Sequence, residues 1–205
     1  MVELNIKQKE FIKNNLKQYL EEDDIKGALE EICKLQQSYA EHLPDKWYEM
    51  HLCAQINLFL YELGFPILEN CCRQVYDYMF CTTNIQGEIE IPSNILAIGP
   101  WAFDECKHLT SVIFNEGLMS IYGNAFEKTK IKSVTFPKSL HLVSTYAFAY
   151  CEDLSEVRLQ GDVFIDRDAF IGSSPQIYVP KDVWENEFSR WYHEDYFNGL
   201  TVVPY

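Results

Sequence analysis

Histidine and cysteine are the side chains in this sequence that could carry nucleophilic or metal chemistry. The five histidines are scattered along the chain, at His42, His51, His108, His141 and His193. None stands beside a nucleophile in a glycine-flanked motif, and adjacent residues in the "HED" segment at 193–195 point in different directions. The nine glycines are dispersed at turns, so the sequence contains no phosphate-binding loop. We therefore predict that the protein is not an enzyme.

The seven cysteines are odd in number, irregular in spacing and mostly surrounded by apolar residues. They are Cys33, Cys53, Cys71, Cys72, Cys81, Cys106 and Cys151. The sequence has no C-x-x-C motif, and no histidine lies at ligand spacing from a cysteine pair. We interpret the cysteines as reduced, packed thiols in a reducing compartment, and we predict neither a metal nor a cofactor.

The charge of the chain argues against binding to nucleic acid, and its hydropathy argues against a membrane span. The 205 residues carry a formal net charge of −14, with a pI of about 4.7. Such a surface repels phosphate backbones, so we expect no direct binding of nucleic acid. The N-terminus is polar, and no apolar run approaches the roughly 20 residues that span a membrane. The expected location is the cytoplasm.

The first part of the chain has the apolar spacing of helices. The pattern predicts helices at about 6–20, 25–39 and 45–63, the last ending at Gly64, and a fourth from Pro66 through Met79 with Ile67, Cys71 and Val75 in line. Residues 1–81 are therefore predicted to form a bundle of about four helices.

From Thr82 onward the spacing changes to short alternating segments that are typical of strands. An Ala-Phe pair recurs at offsets of 23, 22 and 22 residues, ending at Phe103, Phe126, Phe148 and Phe170. Repeats begin near Gln86, Leu109, Ile131 and Leu154, with a partial one at Pro175. Stacked coils can bury the apolar positions of such repeats together, with the phenylalanines as rungs of an aromatic stack. Cys106 and Cys151 are expected to close their coils, with Thr129 and Gly172 in the matching places.

The repeat resembles a known family. The segment from Ile89 to Leu109 follows the pattern I-x-I-P-x-x-I-x-x-I-G-x-x-A-F-x-x-C-x-x-L of BspA-type leucine-rich repeats, and "IYVPKDVWENEFSRW" is similar to that family's closing segment. The resemblance covers about residues 83–192. Three departures stand out: Phe114-Asn115 replaces Ile-Pro, Lys130 follows Thr129 where cysteine and a polar residue are usual, and the fourth repeat is shortened.

The resemblance implies a curved stack of β-coils that binds other molecules. The predicted fold is therefore α+β: a helical bundle in residues 1–81, followed by a short leucine-rich-repeat β-solenoid in residues 82–205 with a C-terminal cap. The cap would use the aromatic residues Trp184, Phe188, Trp191, Tyr192, Tyr196 and Phe197. We expect the helical domain to cap the other end of the solenoid, because an open first coil would expose a sheet edge.

In leucine-rich folds the outward strand residues form an exposed ladder on the concave face. One predicted row is Glu88, Ser111, Ser133, Glu156 and Gln176, and the other is Glu90, Ile113, Thr135, Arg158 and Tyr178. We predict that Ile113 and Tyr178 anchor a partner, since apolar and aromatic groups carry most interface energy. The same pattern also fits strand positions that are merely solvated.

Three hypotheses for function remain open on the sequence. The first is a non-enzymatic module that binds a protein through the solenoid face, the helical domain or both. The second is an acidic inhibitor or decoy, encoded for example by a phage, that blocks a basic nucleic-acid-handling enzyme through charge complementarity. The third is a structural subunit of a complex. In the first two hypotheses the partner is a protein, and the acidity of this chain would favour a partner with a basic surface. The sequence does not determine the oligomeric state.

Overall fold

The chain folds into two units, Met1–Phe65 and Pro66–Tyr205. A computed structural model describes residues 4–21, 31, 34, 46–64, 74–75, 77–185 and 199–205. In the first unit, helix α1 spans Ile6–Glu21 and helix α2 spans Lys46–Glu62. These two helices confirm the first and third predicted helices. The predicted second helix lies outside the described residues, apart from residues 31 and 34.

Each described helix has fully buried apolar residues. Ile12 and Leu16, one turn apart on α1, are fully buried. In α2 three successive residues, from Ala54 to Ile56, are buried, as expected of a helix that is packed on most sides. Gly64 ends α2 with a left-handed φ of 78°, and its N–H donates to the carbonyl of Tyr61 over 2.9 Å.

The second unit is a β-solenoid in which long and short strands alternate along the chain. The long strands are β2 (Gln86–Ile91), β4 (His108–Phe114), β6 (Ser133–Phe136), β8 (Glu156–Leu159) and β10 (Gln176–Val179). The short strands are β1 (Gln74–Val75), β3 (Ala97–Ile98), β5 (Ser120–Ile121), β7 (Leu142–Val143) and β9 (Phe164–Ile165). Helix α3 (Lys181–Trp184) and strand β11 (Val202–Pro204) follow β10.

All strand pairs are parallel, as a coil that returns to the same place requires. The short strands form one sheet in the order β1-β3-β5-β7-β9. The long strands pair as β2-β4 and as β6-β8-β10, and β11 pairs with β10 at the end of the second group. Between β4 and β6 the coils are joined by hydrogen bonds from the N–H groups of Lys130 and Lys132 to the carbonyls of Leu109 and Thr110. We number the coils one to five by their phenylalanines, Phe80, Phe103, Phe126, Phe148 and Phe170.

The fourth predicted helix is wrong from residue 74 onward, because these residues form the first coil of the solenoid. Strand β1 pairs with β3, and a turn occupies residues 77–82. Val75 and Phe80 are both fully buried. The predicted domain boundary at residues 81 and 82 thus falls inside the second unit, which begins at Pro66.

The predicted solenoid core is confirmed. The five inward pairs on the long strands are all buried: Ile89/Ile91, Val112/Phe114, Val134/Phe136, Val157/Leu159 and Ile177/Val179. So are the apolar residues of the second segments, Ile95, Ile98, Leu118, Ile121, Leu140, Val143, Val163 and Ile165. No single coil could enclose these side chains, so stacking of coils supplies the dry interior.

The phenylalanines stack through the whole solenoid. Ring centroids of successive coils are 5.3, 5.1, 5.1 and 6.0 Å apart, from Phe80 through to Phe170. The preceding alanines, Ala102, Ala125, Ala147 and Ala169, are fully buried. A larger side chain there would hold neighbouring coils apart, which explains the recurring Ala-Phe pair.

The turn around each phenylalanine uses left-handed backbone. In coils one to four, the residues two before and two after the phenylalanine have φ between 54° and 61°. They are Tyr78, Thr82, Trp101, Glu105, Asn124, Lys128, Tyr146 and Tyr150. In coil five a glycine, Gly172, takes the second position at φ 72°. Most of these residues carry a β-carbon, so the turns are held in a conformation that costs energy.

A row of small hydrogen-bonding side chains lies three residues after each phenylalanine, at Thr83, Cys106, Thr129, Cys151 and Ser173. The Sγ of Cys151 lies 3.1 Å from the carbonyl oxygen of Phe126, one coil earlier, and Ser173 Oγ donates to that of Phe148 over 2.8 Å. The predicted match of Gly172 to this row is wrong by one residue, because Ser173 occupies the place.

A short helix and one further strand follow β10 at the C-terminal end. Helix α3 begins directly after Pro180 and is only one turn long. Strand β11, which the sequence did not reveal, pairs with β10. Its Pro204 has no N–H and cannot donate to a further strand. Of the aromatic residues expected in the cap, Phe188, Trp191, Tyr192, Tyr196 and Phe197 lie outside the described residues.

Candidate functional site

The ten residues predicted for the ladder lie between inward residues on adjacent long strands. Within each paired group the rows are in register: Glu88 is opposite Ser111 and Glu90 opposite Ile113 on β2 and β4. On β6, β8 and β10, one row runs through Ser133, Glu156 and Gln176 and the other through Thr135, Arg158 and Tyr178. All ten are exposed or half-buried. The structure thus brings these side chains together as a surface, which we call the strand ladder.

Two carboxylates on β2 form the acidic end of the ladder. Ser111 Oγ donates to Glu88 Oε2 over 2.9 Å, and Asn115 Nδ2 donates to Glu90 Oε1 over 3.0 Å. The same amide nitrogen also donates to the carbonyl of Ile91 over 2.7 Å. Asn115 therefore holds Glu90 against the first turn of the next coil. It stands where the repeat pattern expects proline, so this departure in the sequence was a usable sign of a local role.

An arginine packed on two aromatic rings forms the other end. The guanidinium carbon of Arg158 lies 4.6 Å from the ring centre of Tyr178 and 4.8 Å from that of Tyr205. Its Nη2 donates to Glu156 Oε1 over 3.1 Å. The hydroxyl of Tyr205 donates to the carbonyl of Leu159, which fixes that ring across β10. Sequence reasoning missed Tyr205, because only the pairing of β11 with β10 brings it to Arg158.

Between the two ends the ladder carries small side chains around one exposed aliphatic residue. Ile113 is 41% exposed, whereas its neighbours in the row are the carboxylate Glu90 and, on the next long strand, Thr135. Ser111 and Ser133 complete this middle section. Adjacent strands are about 4.8 Å apart, so five strands give a face of about 20 Å.

A half-buried carboxyl group, with one fully buried oxygen, lies outside the ladder and beside the phenylalanine stack. Asp104 directly follows Phe103, and its Oδ1 has no hydrogen-bond partner. Its Oδ2 lies 3.8 Å from the Sγ of Cys81, one coil earlier. Burial raises the pKa of Asp104 to about 7, with a further rise from Glu127 and an opposing effect of Lys128. The group can therefore change its protonation near neutral pH.

The described cysteines are buried, and the described histidines are exposed. Cys81, Cys106 and Cys151 are free and buried. Burial raises the pKa of each thiol, to about 12 for Cys106, so all three are protonated at neutral pH. His108 and His141 are exposed on the solenoid. Among the residues that the structure describes, no group of three or more histidine, cysteine or acidic side chains is placed to hold a metal ion.

Comparison with known proteins identifies the family to which this solenoid belongs. The model of the BspA type leucine-rich repeat region matches residues 73–184 with six copies of the repeat. This match covers more than half of the chain. The protein belongs to the BspA-type leucine-rich repeat family. The matched range begins at β1 and so includes the first coil, which the sequence pattern alone assigned to a helix. Repeats of this family usually mediate protein–protein interaction.

One solved structure is similar in part. A leucine-rich repeat protein from Bacteroides ovatus ATCC 8483 is 22% identical, over 53% of this chain, with a TM-score of 0.36. The BspA-type chain described here spans 35% of the length of that protein. No curated protein matches the chain of 205 residues described here. Within the described residues, no helix has both the length and the apolar character required to cross a membrane.

Proposed function

We propose that the protein is a non-catalytic binding module whose protein partner contacts the strand ladder. The observation that carries the proposal is that the ladder side chains are in register and already held. Glu88 and Glu90 are held by hydrogen bonds from the neighbouring coil, and Arg158 is packed on the rings of Tyr178 and Tyr205. Side chains that are ordered before binding lose less entropy when a partner arrives.

Ile113 and Tyr178 are the proposed anchors. Ile113 offers an exposed aliphatic group in the middle of the face, beside serine and threonine residues that leave it accessible. Tyr178 keeps its ring in place through its hydroxyl, which donates to Gln176 Oε1 over 2.7 Å, and through Arg158. Rigid aromatic and aliphatic groups are the usual sources of interface energy.

The chemistry of the partner follows from charge. The ladder carries three glutamates and one arginine, and that arginine is already paired with Glu156. The whole chain has a net charge of −14. A partner with a basic surface would therefore associate faster and be preferred over an acidic one. This charge also favours the second candidate function, an acidic inhibitor that covers the basic surface of a nucleic-acid-handling enzyme.

The test compares partners captured by the wild-type chain with those captured by variants. Ile113→Thr reproduces Thr135 of the same row, and Glu90→Gln removes one charge; together they should lose the partner. Met119→Ser, an exposed position on the short-strand side of the solenoid, is the matched control and should retain it. Equal binding of a partner to wild type, the double ladder variant and Met119→Ser would show that the ladder is not the binding site. A captured basic nuclease whose activity falls in the presence of the wild-type chain would support the inhibitor.

A further inference from the structure

A second surface lies on the edge of the solenoid formed by the Ala-Phe turns. Tyr122, Tyr146 and Tyr150 are 38%, 40% and 50% exposed. Within the described part of the chain, none of the three side chains has a hydrogen bond, ion pair or ring–ring contact. Tyr178 on the strand ladder and Tyr205 beside it differ, since both hydroxyls donate hydrogen bonds and both rings pack on Arg158. We call the three unpaired residues the tyrosine edge.

The backbone places the three rings on two neighbouring coils. Tyr122 directly follows β5 and lies beside Ser144 of coil four, because Ile121 pairs with Val143. Tyr146 and Tyr150 flank the Ala-Phe pair of coil four, and both have a left-handed φ. Tyr146 is therefore a diagonal neighbour of Tyr122, at about 7–8 Å, and Tyr150 lies at the other end of the same Ala-Phe turn.

Coil five supports the tyrosine edge on one side. A β-carbon placed on Gly172 would lie 2.4 Å from Cδ1 of Tyr150. The ring of Tyr150 therefore rests on the bare backbone of Gly172. The neighbouring Ile171 is 37% exposed and extends the apolar surface. This support fixes the ring of Tyr150 where it remains open to solvent.

The charges around the edge select the occupant. In coil five, Asp166 continues the row of Tyr122 and Ser144, and Asp168 continues the row of Tyr146. Glu105 and Glu127 lie on the other side, with Lys128 between them at 3.0 and 3.3 Å. Counting Arg167 beside Asp168 and Lys107 beside Glu105, four carboxylates face three cations. The edge combines aromatic faces with an excess of negative charge.

We propose that the tyrosine edge binds an arginine-rich segment of a partner protein, at a site separate from the strand ladder. Guanidinium groups are weakly hydrated and stack on tyrosine rings, and the surrounding carboxylates add attraction at longer range. The protein already contains this arrangement within itself, where Arg158 lies over two tyrosine rings and beside Glu156. On the tyrosine edge the rings are present, and the arginine comes from the partner.

The repeat supplies matched replacements for all three tyrosines. Ser144 occupies the row of Tyr122, Asn124 occupies the row of Tyr146, and Gly172 occupies the row of Tyr150. The triple variant Tyr122→Ser, Tyr146→Asn, Tyr150→Gly therefore uses residues that the same turns already accommodate. It leaves the net charge unchanged. A conservative variant with phenylalanine at the three positions keeps the rings and removes the hydroxyls.

The experiment measures anisotropy of a labelled peptide of alternating arginine and glycine, with the full-length protein and with its variants. Wild type and the phenylalanine variant should bind alike, and the triple variant should bind about tenfold more weakly, as expected for the loss of two or three cation–π contacts. The ladder variant Ile113→Thr with Glu90→Gln should bind like wild type, which separates this site from the proposed function. A peptide of alternating lysine and glycine should bind more weakly than the arginine peptide.

Three results would overturn the proposal. The first is equal binding of the arginine peptide by wild type and the triple variant, since the attraction would then come from net charge alone. The second is equal affinity for the lysine and arginine peptides. The third is self-association of the wild-type chain in sedimentation that the triple variant abolishes, which would assign the edge to a second copy of the protein. Thermal unfolding of each variant verifies that it is folded.

Discussion

At the scale of single residues, the burial of Asp104 makes the stability of the fold depend on pH. The carboxyl group has one oxygen without a hydrogen-bond partner and a second beside the thiol of Cys81. Its pKa rises from 3.8 to about 7, first because of burial and then because of Glu127. The folded state therefore keeps a proton that the unfolded chain releases near pH 4.

The raised pKa of Asp104 makes the fold less stable as pH rises. Below pH 4 both states are protonated and the contribution of Asp104 to stability is fully present. As pH rises from about 4 to about 7 the unfolded state loses its proton first, so the free energy of unfolding falls. Asp104→Asn should remove this dependence, leaving the variant more stable than wild type at pH 8 and closer to it at pH 5. Urea unfolding across this range measures the difference.

Other titratable groups change the stability with pH in the opposite direction, so wild type has to be compared with Asp104→Asn. The hydrogen bond from Lys128 lowers the pKa of Glu105, so that group stabilises the fold above its unfolded pKa and loses this effect as pH falls. Only the difference between wild type and Asp104→Asn isolates the buried carboxyl group. Parallel curves for the two proteins would show that Asp104 does not hold a proton in the folded state.

The residues of the strand ladder could be predicted because a strand alternates with a period of two. Once Ile89 and Ile91 are inward, Glu88 and Glu90 must point outward. Their partners could not be predicted in the same way. Asn115 reaches Glu90 only because one coil brings it alongside, and Tyr205 reaches Arg158 from 47 residues further along the chain. Contacts of this kind depend on the register of coils, which the period alone does not fix.

At the scale of elements, the turn around each phenylalanine stores strain that glycine relieves in coil five. Gly172→Ala should lower the free energy of unfolding by more than the roughly 1–2 kcal/mol that a left-handed residue with a β-carbon costs. The new methyl group would also displace the ring of Tyr150, which lies 2.4 Å from its position. Urea unfolding of the variant gives the total loss.

A second background separates the two contributions. In a protein that already carries Tyr150→Ala, the ring is absent and only the backbone strain remains. The loss caused by Gly172→Ala should therefore be smaller there, yet still about 1 kcal/mol. An unchanged or increased stability of Gly172→Ala in the wild-type background would mean that this turn is relaxed.

The first coil shows how a helix can be predicted where a strand forms. Ile67, Cys71, Val75 and Met79 are four residues apart, which is the spacing of one helical face. The coil also has Met79 where later coils have alanine, so the Ala-Phe pair is absent. The structure places Val75 in β1 and stacks Phe80 on Phe103 at 5.3 Å. The tertiary stack, with its buried aromatic ring, overrides the local pattern.

At the scale of the whole molecule, the solenoid requires both of its ends to be covered. Each inner coil has neighbours that complete its sheets and its phenylalanine stack, whereas a terminal coil has one neighbour only. At the C-terminal side Pro204 limits pairing at the β11 edge. At the N-terminal side β1 and Phe80 cover β3 and Phe103. We propose in addition that the helical unit caps this end.

Two truncations separate the roles of the first coil and of the helical unit. A chain of residues 66–205 keeps β1 and Phe80, whereas a chain of residues 82–205 loses both and exposes β3 and the ring of Phe103. The shorter fragment should aggregate or melt without cooperativity, because an open sheet edge then lies beside an uncovered aromatic core. A soluble fragment 82–205 with a cooperative transition would contradict this. If the helical unit is a cap, fragment 66–205 should melt below the full chain, and equal melting temperatures would assign that unit a different role.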